Sequence, residues 1–357
     1  MGDEYMSTKK EFKKYRKRAL EDIRYQNVYA DGIIETELGC FTKTYVCIAD
    51  IMEILDKMHD MILSNVDEDN PFNKVGMQIT FYDQKFYLTL SVKRPAYDLA
   101  VKAFDIFDNC DEFQEMTFVE RMELLHTLYQ NDDSFVERFI ECSYYKKDAH
   151  ASLSPHSRNY PVAEKLKNFK RNGKVSKDLF LPLEMKAEAT EFEFEGNYIR
   201  FFYLKNLSRY LTQDFLDILV GIEDVCFSIH MKPLSQTEIV KYTTEKFENA
   251  KDLKESEIMQ KEFFETVNVD LERSARNGEK MFLMTLVIGI RDDSLDVLNE
   301  KVDKLTKEMT ETYVVKVLNF QQKDALNTFV PFCDDRLSIQ SVVYTKPANN
   351  EEGEING

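Results

Sequence analysis

Short apolar runs alternate with helical stripes along the first part of the chain. Gly32 to Asp50 predicts a hairpin. Ile33 and Ile34 lead to a turn around Gly39, after which Thr42, Thr44, Val46 and Ile48 alternate with Lys43, Tyr45 and Cys47. Ile51, Ile54, Leu55, Met58 and Ile62 then recur at three-and-four spacing, which places them on one helix face, and the turn cluster from Asp67 to Pro71 ends that helix. Val75, Met77, Ile79 and Phe81 predict a strand with one buried face. Asp83, Gln84 and Lys85 turn it tightly into a partner carrying Phe86, Leu88, Leu90 and Val92, which Pro95 stops. The next helix sets Leu99, Ala103, Ile106 and Cys110 on one stripe. A short strand around Phe113 and a helix built on Phe118, Met122, Leu125 and Tyr129 follow.

From Tyr144 to Pro182 the periodicity fails, with Pro155, Pro161, Gly173 and a basic bias, and a domain boundary is placed there. The earlier order then recurs. Tyr198–Leu204 reads as a strand, and Leu211–Val220 as a helix with Phe215, Leu216 and Leu219 inward. Val225–Met231 reads as a strand with Val225, Phe227, Ile229 and Met231 on one side. Met281–Ile290 is apolar on both faces, as expected of a central strand covered twice, and Leu295, Leu298, Val302, Leu305 and Met309 stripe the helix after it. Tyr313–Phe320 closes the set. Strand, helix, strand, strand, helix, strand is the order of the ferredoxin-like arrangement, an antiparallel sheet with two helices on one face. The expected fold is therefore α+β, with two ferredoxin-like antiparallel-sheet modules at 31–143 and 186–333. A linker at 144–185 separates them, and a long helical insertion at 236–277 projects from the second.

Composition narrows the partners. A formal charge of −17 repels the phosphate backbone of nucleic acids, so no strong nucleic-acid binding is expected. The sign reverses locally at the start, residues 1–30, read as a basic helix. Lys9, Lys10, Lys13, Lys14, Arg16, Lys17 and Arg18 fall within ten residues and make a candidate docking surface for anionic lipid or an acidic partner. Residues 334–357 carry Glu351, Glu352 and Glu354 and read as an acidic, disordered tail. The longest apolar runs are about half of the roughly 20 residues that cross a bilayer, and no secretory signal opens the chain, so a cytoplasmic location is expected. Six cysteines, Cys40, Cys47, Cys110, Cys142, Cys226 and Cys333, form no CxxC pair and read as free thiols in a reducing compartment.

No catalytic constellation emerges, and no catalytic, cofactor or metal residue is assigned. A phosphate-binding loop needs GxxxxGK[ST], and the nearest fragment, Gly173-Lys174-Val175, lacks both the first glycine and the hydroxyl. Asp292, Asp293 and Ser294 follow an apolar strand but read as caps of the next helix rather than magnesium ligands. The five histidines, His59, His126, His150, His156 and His230, show no ligand spacing. His230, on the face shared with Cys226, Ser228 and Lys232, reads as solvent-facing.

Several segments resemble a known family. Lys170 to Leu219 (KRNGKVSKDLFLPLEMKAEATEFEFEGNYIRFFYLKNLSRYLTQDFLDIL) is similar to the part of conjugative transfer ATPases in which Ser/Thr-Lys-Asp-Leu and a proline precede a strand ending in Tyr-Leu-Lys. CFSIHMKPLSQTEIVKYTTEKF, RNGEKMFLMTLVIGI and NFQQKDALNTFVPF continue the likeness. Its most distinctive elements are the paired glutamines and the Leu-Asn before the closing proline, and YADGIIETELGCFTKTYVCIADI resembles the family's opening hairpin. The family is the CagE/TrbE/VirB group of type IV secretion ATPases, and the resemblance covers its non-motor N-terminal region. It implies a scaffold or assembly component on the inner face of the cytoplasmic membrane, oligomeric within the machine. Its partners would be membrane subunits of a type IV secretion apparatus and a P-loop motor protein. Two other readings stand beside it: the front half of a split transfer ATPase acting with its motor in trans, and an unrelated two-domain binding protein.

Overall fold

The computed structural model describes residues 23, 25–29, 31–58, 76–130, 135, 170–172, 180, 185–194, 196–205, 213–222, 224–234, 237–238, 241, 281–309, 313–337, 339 and 341–344. The first half supplies β1 (Tyr25–Tyr29), β2 (Ile34–Thr36), β3 (Cys40–Cys47), α1 (Ile51–Met58), β4 (Met77–Tyr82), β5 (Lys85–Lys93), α2 (Tyr97–Asp108), β6 (Phe113–Glu115) and α3 (Phe118–Gln130). The second supplies β7 (Lys170–Asn172), β8 (Lys186–Ala187), β9 (Phe192–Phe194), β10 (Asn197–Lys205), α4 (Gln213–Gly221), β11 (Val225–Pro233), β12 (Met281–Asp292), α5 (Leu295–Met309), β13 (Val314–Val317), α6 (Gln322–Phe329) and β14 (Ser341–Tyr344).

All fourteen described strands join one antiparallel sheet in the order β7-β1-β2-β3-β5-β4-β11-β12-β10-β9-β8. The strands β6, β13 and β14 fill half-edges of β3, β10 and β12. The two halves therefore share a sheet instead of building one each, and the join is β4 against β11, from Met77↔Met231 to Phe81↔Phe227.

The halves are built to one plan. On the outer edge of β3, residues 41–42 pair with β2 and 45–47 with β6; on β10, residues 197–199 pair with β9 and 202–205 with β13. The two-residue gaps thus align Lys43 with Arg200 and Tyr45 with Phe202. Register carries the correspondence inward: Tyr45↔Leu88↔Ile79 matches Phe202↔Ile288↔Phe227. Across the join Ile79 faces Ile229 and Phe81 faces Phe227, so a pseudo-twofold axis passes through the Thr80↔Ser228 pair. Each gap holds a cation, Lys43 buried and Arg200 half-buried. Lys43 donates to Asp108 (2.6 Å) and Glu115 (2.7 Å), and Arg200 to Glu191 (2.8 Å) and Asn299 (2.9 Å).

Two helical layers cover the sheet. On the first face α1, α2, α4 and α5 bury Ile54, Phe104, Phe107, Leu216, Leu298 and Leu305 against Ile79, Leu88, Ile229 and Ile288. Burying each large aliphatic contributes about 1.5–3 kcal/mol. On the second face α3 and α6 bury Met122, Leu125, Leu326 and Phe329 against Ile199, Phe201 and Val287. Gly289, in mid-strand on β12, is set by this second layer. A Cβ there would lie 2.9 Å from both Cys226 Sγ and Phe201 Cε1.

Several expectations shift. The stripe of α2 is Ala100, Ala103, Phe104 and Phe107, while Leu99 is exposed and Cys110 lies past the helix end. The larger aromatic volume takes the core and turns the helix accordingly. The stretch expected as a linker contributes β7, which pairs with β1, and the buried Phe180. The stretch expected as a disordered tail buries Leu337 and adds β14 to the free half-edge of β12. Outside the described residues lie the basic segment, most of the 236–277 insertion and 345–357.

Gly289→Ala is expected to lower stability by about 1–3 kcal/mol through overpacking, measured by urea unfolding. Adding Cys226→Ala should return part of that loss, and full stability of the single variant would contradict the packing described.

Candidate functional site

Charge and hydrogen-bonding capacity concentrate on the second face, along the join. There the strands turn inward Thr42, Thr44, Gln78, Thr80, Thr89, Ser228, His230 and Thr285, all of them buried. Polar groups taken from water need partners. Thr44 and Thr89 find theirs in each other, at 3.0 Å, and Thr42 in Arg121, while Gln78, His230 and Thr285 find theirs at the end of α6 and in the segment after it.

The last carbonyls of a helix have no partner within it. Gln78, from the first half, reaches those of α6. Its Nε2 lies 3.1, 2.8 and 3.1 Å from the carbonyls of Thr328, Phe329 and Val330 and 2.9 Å from Ser228 Oγ. Its Oε1 accepts from the Cys333 amide at 2.8 Å. His230 Nε2 sits 2.6 Å from the Thr328 carbonyl. A carbonyl can only accept, so that ring nitrogen carries the proton. Further along, Thr285 Oγ1 donates to Asp335 at 2.6 Å, the Arg336 amide to Thr328 Oγ1 at 3.0 Å, and Cys333 Sγ to the Thr89 carbonyl at 3.0 Å.

Two buried arginines complete the fastening. Arg121 on α3 donates to the carbonyls of Gly32, Thr42 and Pro331 and to Thr42 Oγ1. Burial pulls its guanidinium down to about 9, still above neutral, so it remains charged. Arg291, from β12, reaches back to α3, donating to the carbonyls of Thr127 (3.2 Å) and Leu128 and to Tyr82 Oη (3.3 Å). Its guanidinium lies over the Phe194 ring, 5.1 Å from the centroid. Helix α3 is thus tied to both halves, through Arg121 to Gly32, Thr42 and Pro331 and through Arg291 to β12.

Beside α3 the second face carries an open groove of about 420 Å³. Tyr82 and Tyr87 line it from the hairpin of β4 and β5, with Asp83 and Lys85 at the turn and Glu120 and Glu123 on the helix. The turn is tight: Asp83 and Gln84 both take positive φ, 50° and 58°. Glu120 is fixed by a capping box, accepting from the Thr117 amide at 2.7 Å while Thr117 Oγ1 accepts from the Glu120 amide at 3.4 Å. Burial, then Asp83, raises the Tyr87 hydroxyl to about 12.

The sequence-predicted candidates distribute as follows. Lys9, Lys10, Lys13, Lys14, Arg16, Lys17 and Arg18 lie outside the described residues, as do His59, His150, His156, Cys142 and Gly173-Lys174-Val175. His230 is not solvent-facing. It is 6% exposed, because α6 and the segment after it cover that face. Burial lowers its pKa against the opposing pull of Asp335 and Asp334. Ser294 caps α5, its Oγ accepting from the Val297 amide at 3.5 Å, its own amide donates to Asp292 Oδ1 at 2.8 Å, and Lys301 pairs with Asp292 at 2.5 Å. The described cysteines are free thiols, and burial raises those of Cys47 and Cys226 to about 12, far from thiolate at neutral pH. Among the described residues no cluster of His, Cys, Asp or Glu could hold a metal ion, and no helix is long and apolar enough to cross a membrane. Sequence reasoning missed Gln78, Arg121, Thr285 and Arg291. For Gln78, Thr285 and Arg291 the signal was polarity at alternate positions of otherwise apolar strands, and for Arg121 a lone cation beside Met122 on the apolar stripe of a helix.

No protein-family model matches the chain, and no curated protein matches it.

His230 is held neutral in the fold, so stability is complete above the ordinary imidazole pKa of about 6.5 and is lost as pH falls below it. The urea midpoint of the native chain should therefore drop between about pH 7.5 and 5.5. His230→Gln, which keeps a donor without a titrating group, should flatten that slope; an unchanged slope would contradict the assignment.

Proposed function

We propose that the chain is a non-motor front portion of a conjugative transfer ATPase of the CagE/TrbE/VirB family, serving as an assembly platform in a type IV secretion apparatus. In this reading it works by holding other components and does not itself hydrolyse nucleotide. The observation that carries the proposal is where the most distinctive residues of the resemblance act. Gln322 bridges the backbone of Phe201 from both sides, accepting from its amide at 2.8 Å and donating to its carbonyl at 3.1 Å. Leu326 is buried, Asn327 donates to the Lys323 carbonyl at 2.8 Å, and the Pro331 carbonyl receives Arg121. Gln322 and Leu326 fasten α6 to the sheet and Pro331 ties the chain beyond it to α3, while the Asn327 bond braces the helix itself; this is work suited to a scaffold.

The finer fold reading goes with it. Each half has the order strand, helix, strand, strand, helix, strand, and the sheet orders β6-β3-β5-β4 and β13-β10-β12-β11 are those expected of two ferredoxin-like modules. We read the chain as such a pair fused edge to edge, with the basic segment Lys9–Arg18 facing anionic lipid or a membrane subunit at the inner face of the cytoplasmic membrane.

Two measurements test this. Deleting the gene in its native donor cell should abolish conjugative DNA transfer and restoring it should recover transfer, whereas transfer at the undeleted frequency would overturn the proposal. For the lipid contact, the full chain should float with phosphatidylglycerol vesicles and lose that binding when the seven cations are replaced by glutamine, at about 1 kcal/mol per cation. No flotation of the native chain would remove the lipid contact.

A further inference from the structure

The internal correspondence of the two halves gives the groove beside α3 a meaning. Tyr82 pairs with Lys85 in the first half, and the matching pair in the second half is His230 with Thr285. In the second half that place is covered by the chain itself. The Thr328 carbonyl lies on His230, Asp335 lies on Thr285, and Leu337 is buried nearby among the second-face side chains. Among the described residues the matching place in the first half is left uncovered, and it is the groove of about 420 Å³, a size within the roughly 300–1,000 Å³ of ligand pockets.

Its chemistry selects the occupant. Asp83, Glu115, Glu120 and Glu123 line it, and Lys85 is its single basic lining residue. Glu115 pairs with Lys43 and Glu120 accepts from Thr117, and Asp83, Glu120 and Glu123 are exposed at the rim. Tyr82 and Tyr87 offer aromatic walls to aliphatic stems and to cations. A segment rich in Lys and Arg, with aromatic residues between them, complements such a surface. This chain has one: residues 9–18, KKEFKKYRKR, carry seven cations with Phe12 and Tyr15 among them. The described chain picks up shortly after, at Ile23, which is buried in the core of the same face.

We propose that the groove formed by α3 and the β4–β5 hairpin is the docking site for residues 9–18 of this chain, a counterpart in the first half of the strap that residues 328–337 form over the second. The same cations serve the lipid contact proposed above, so groove and lipid compete for this segment; the site does not depend on the secretion reading, and failure of the flotation or transfer experiments leaves it standing.

The test uses a fluorescent peptide spanning residues 7–20. It is titrated by anisotropy into the full chain with Lys9, Lys10, Lys13, Lys14, Arg16, Lys17 and Arg18 all replaced by glutamine, so that the groove is vacant. The peptide should bind, with affinity falling as salt rises. Glu123→Lys should weaken binding about tenfold, and a peptide carrying Lys13→Glu and Lys14→Glu should regain affinity for that variant. Asp98→Lys, an exposed reversal on α2 at the opposite face, should leave binding unchanged. The unaltered chain, whose own segment competes at high effective concentration, should bind the peptide more weakly than the neutralised chain. Absence of binding, equal weakening by Asp98→Lys, or equal affinity of the neutralised and unaltered chains would each overturn the proposal. Circular dichroism of every variant confirms that folding is retained.

Discussion

Everything in this molecule depends on the antiparallel pairing of β4 with β11. An edge strand offers unpaired amides and carbonyls to whatever strand approaches, and in each half the inner-edge strand is apolar on the first face. Met77, Ile79 and Phe81 on one side and Phe227, Ile229 and Met231 on the other would be exposed at a bare edge. Pairing them removes both edges at once and makes the first-face core continuous. The aromatic contact of Phe81 with Phe227, ring centroids 5.0 Å apart, sits beside the pseudo-twofold axis.

The same pairing explains the polar second face. Bringing β4 beside β11 puts Gln78 next to Ser228 and His230, and such groups need partners once they are covered. Those partners are backbone carbonyls at the end of α6 and the chain after it, so the hydrogen bonds of one half terminate on elements of the other. Arg121 does likewise from α3 to Pro331, and Arg291 from β12 to α3. Charged guanidinium groups bonded to carbonyls in a dry setting tolerate little displacement, since losing one acceptor leaves a buried charge underserved. The halves are thereby fixed to each other, which suits the assembly role proposed above.

Much of the fold was legible because the first-face residues follow simple periods. Val225, Phe227, Ile229 and Met231 alternate as expected, and Phe215, Leu216 and Leu219 face inward as their spacing predicts. The second layer was not legible. Tyr313–Phe320 suggested one longer strand, whereas β13 ends at Val317 and the chain then turns, with Phe320 at a positive φ of 61°, into α6. That helix is short and mixed in polarity, so its stripe of Ala325, Leu326 and Phe329 is too brief to stand out. Without α6 nothing covers His230, and a polar residue alternating with apolar ones then reads as solvent-facing. The join of the two sheets was hidden for a related reason, because strand periodicity fixes which face is buried and is silent on which edge finds a partner. The candidate docking cations were read directly from charge density, while the groove that complements them needs the hairpin of β4 and β5 and helix α3 brought together in space.

The most direct test of the fused sheet is native-state hydrogen exchange in rising denaturant, followed at the amides of β4 and β11 and compared with those of β5 and β12. The account predicts that all four strands share the highest protection and lose it together in the global transition. Opening of β4 and β11 at lower denaturant while β5 and β12 stay protected would show that the halves part before they unfold, and would contradict it.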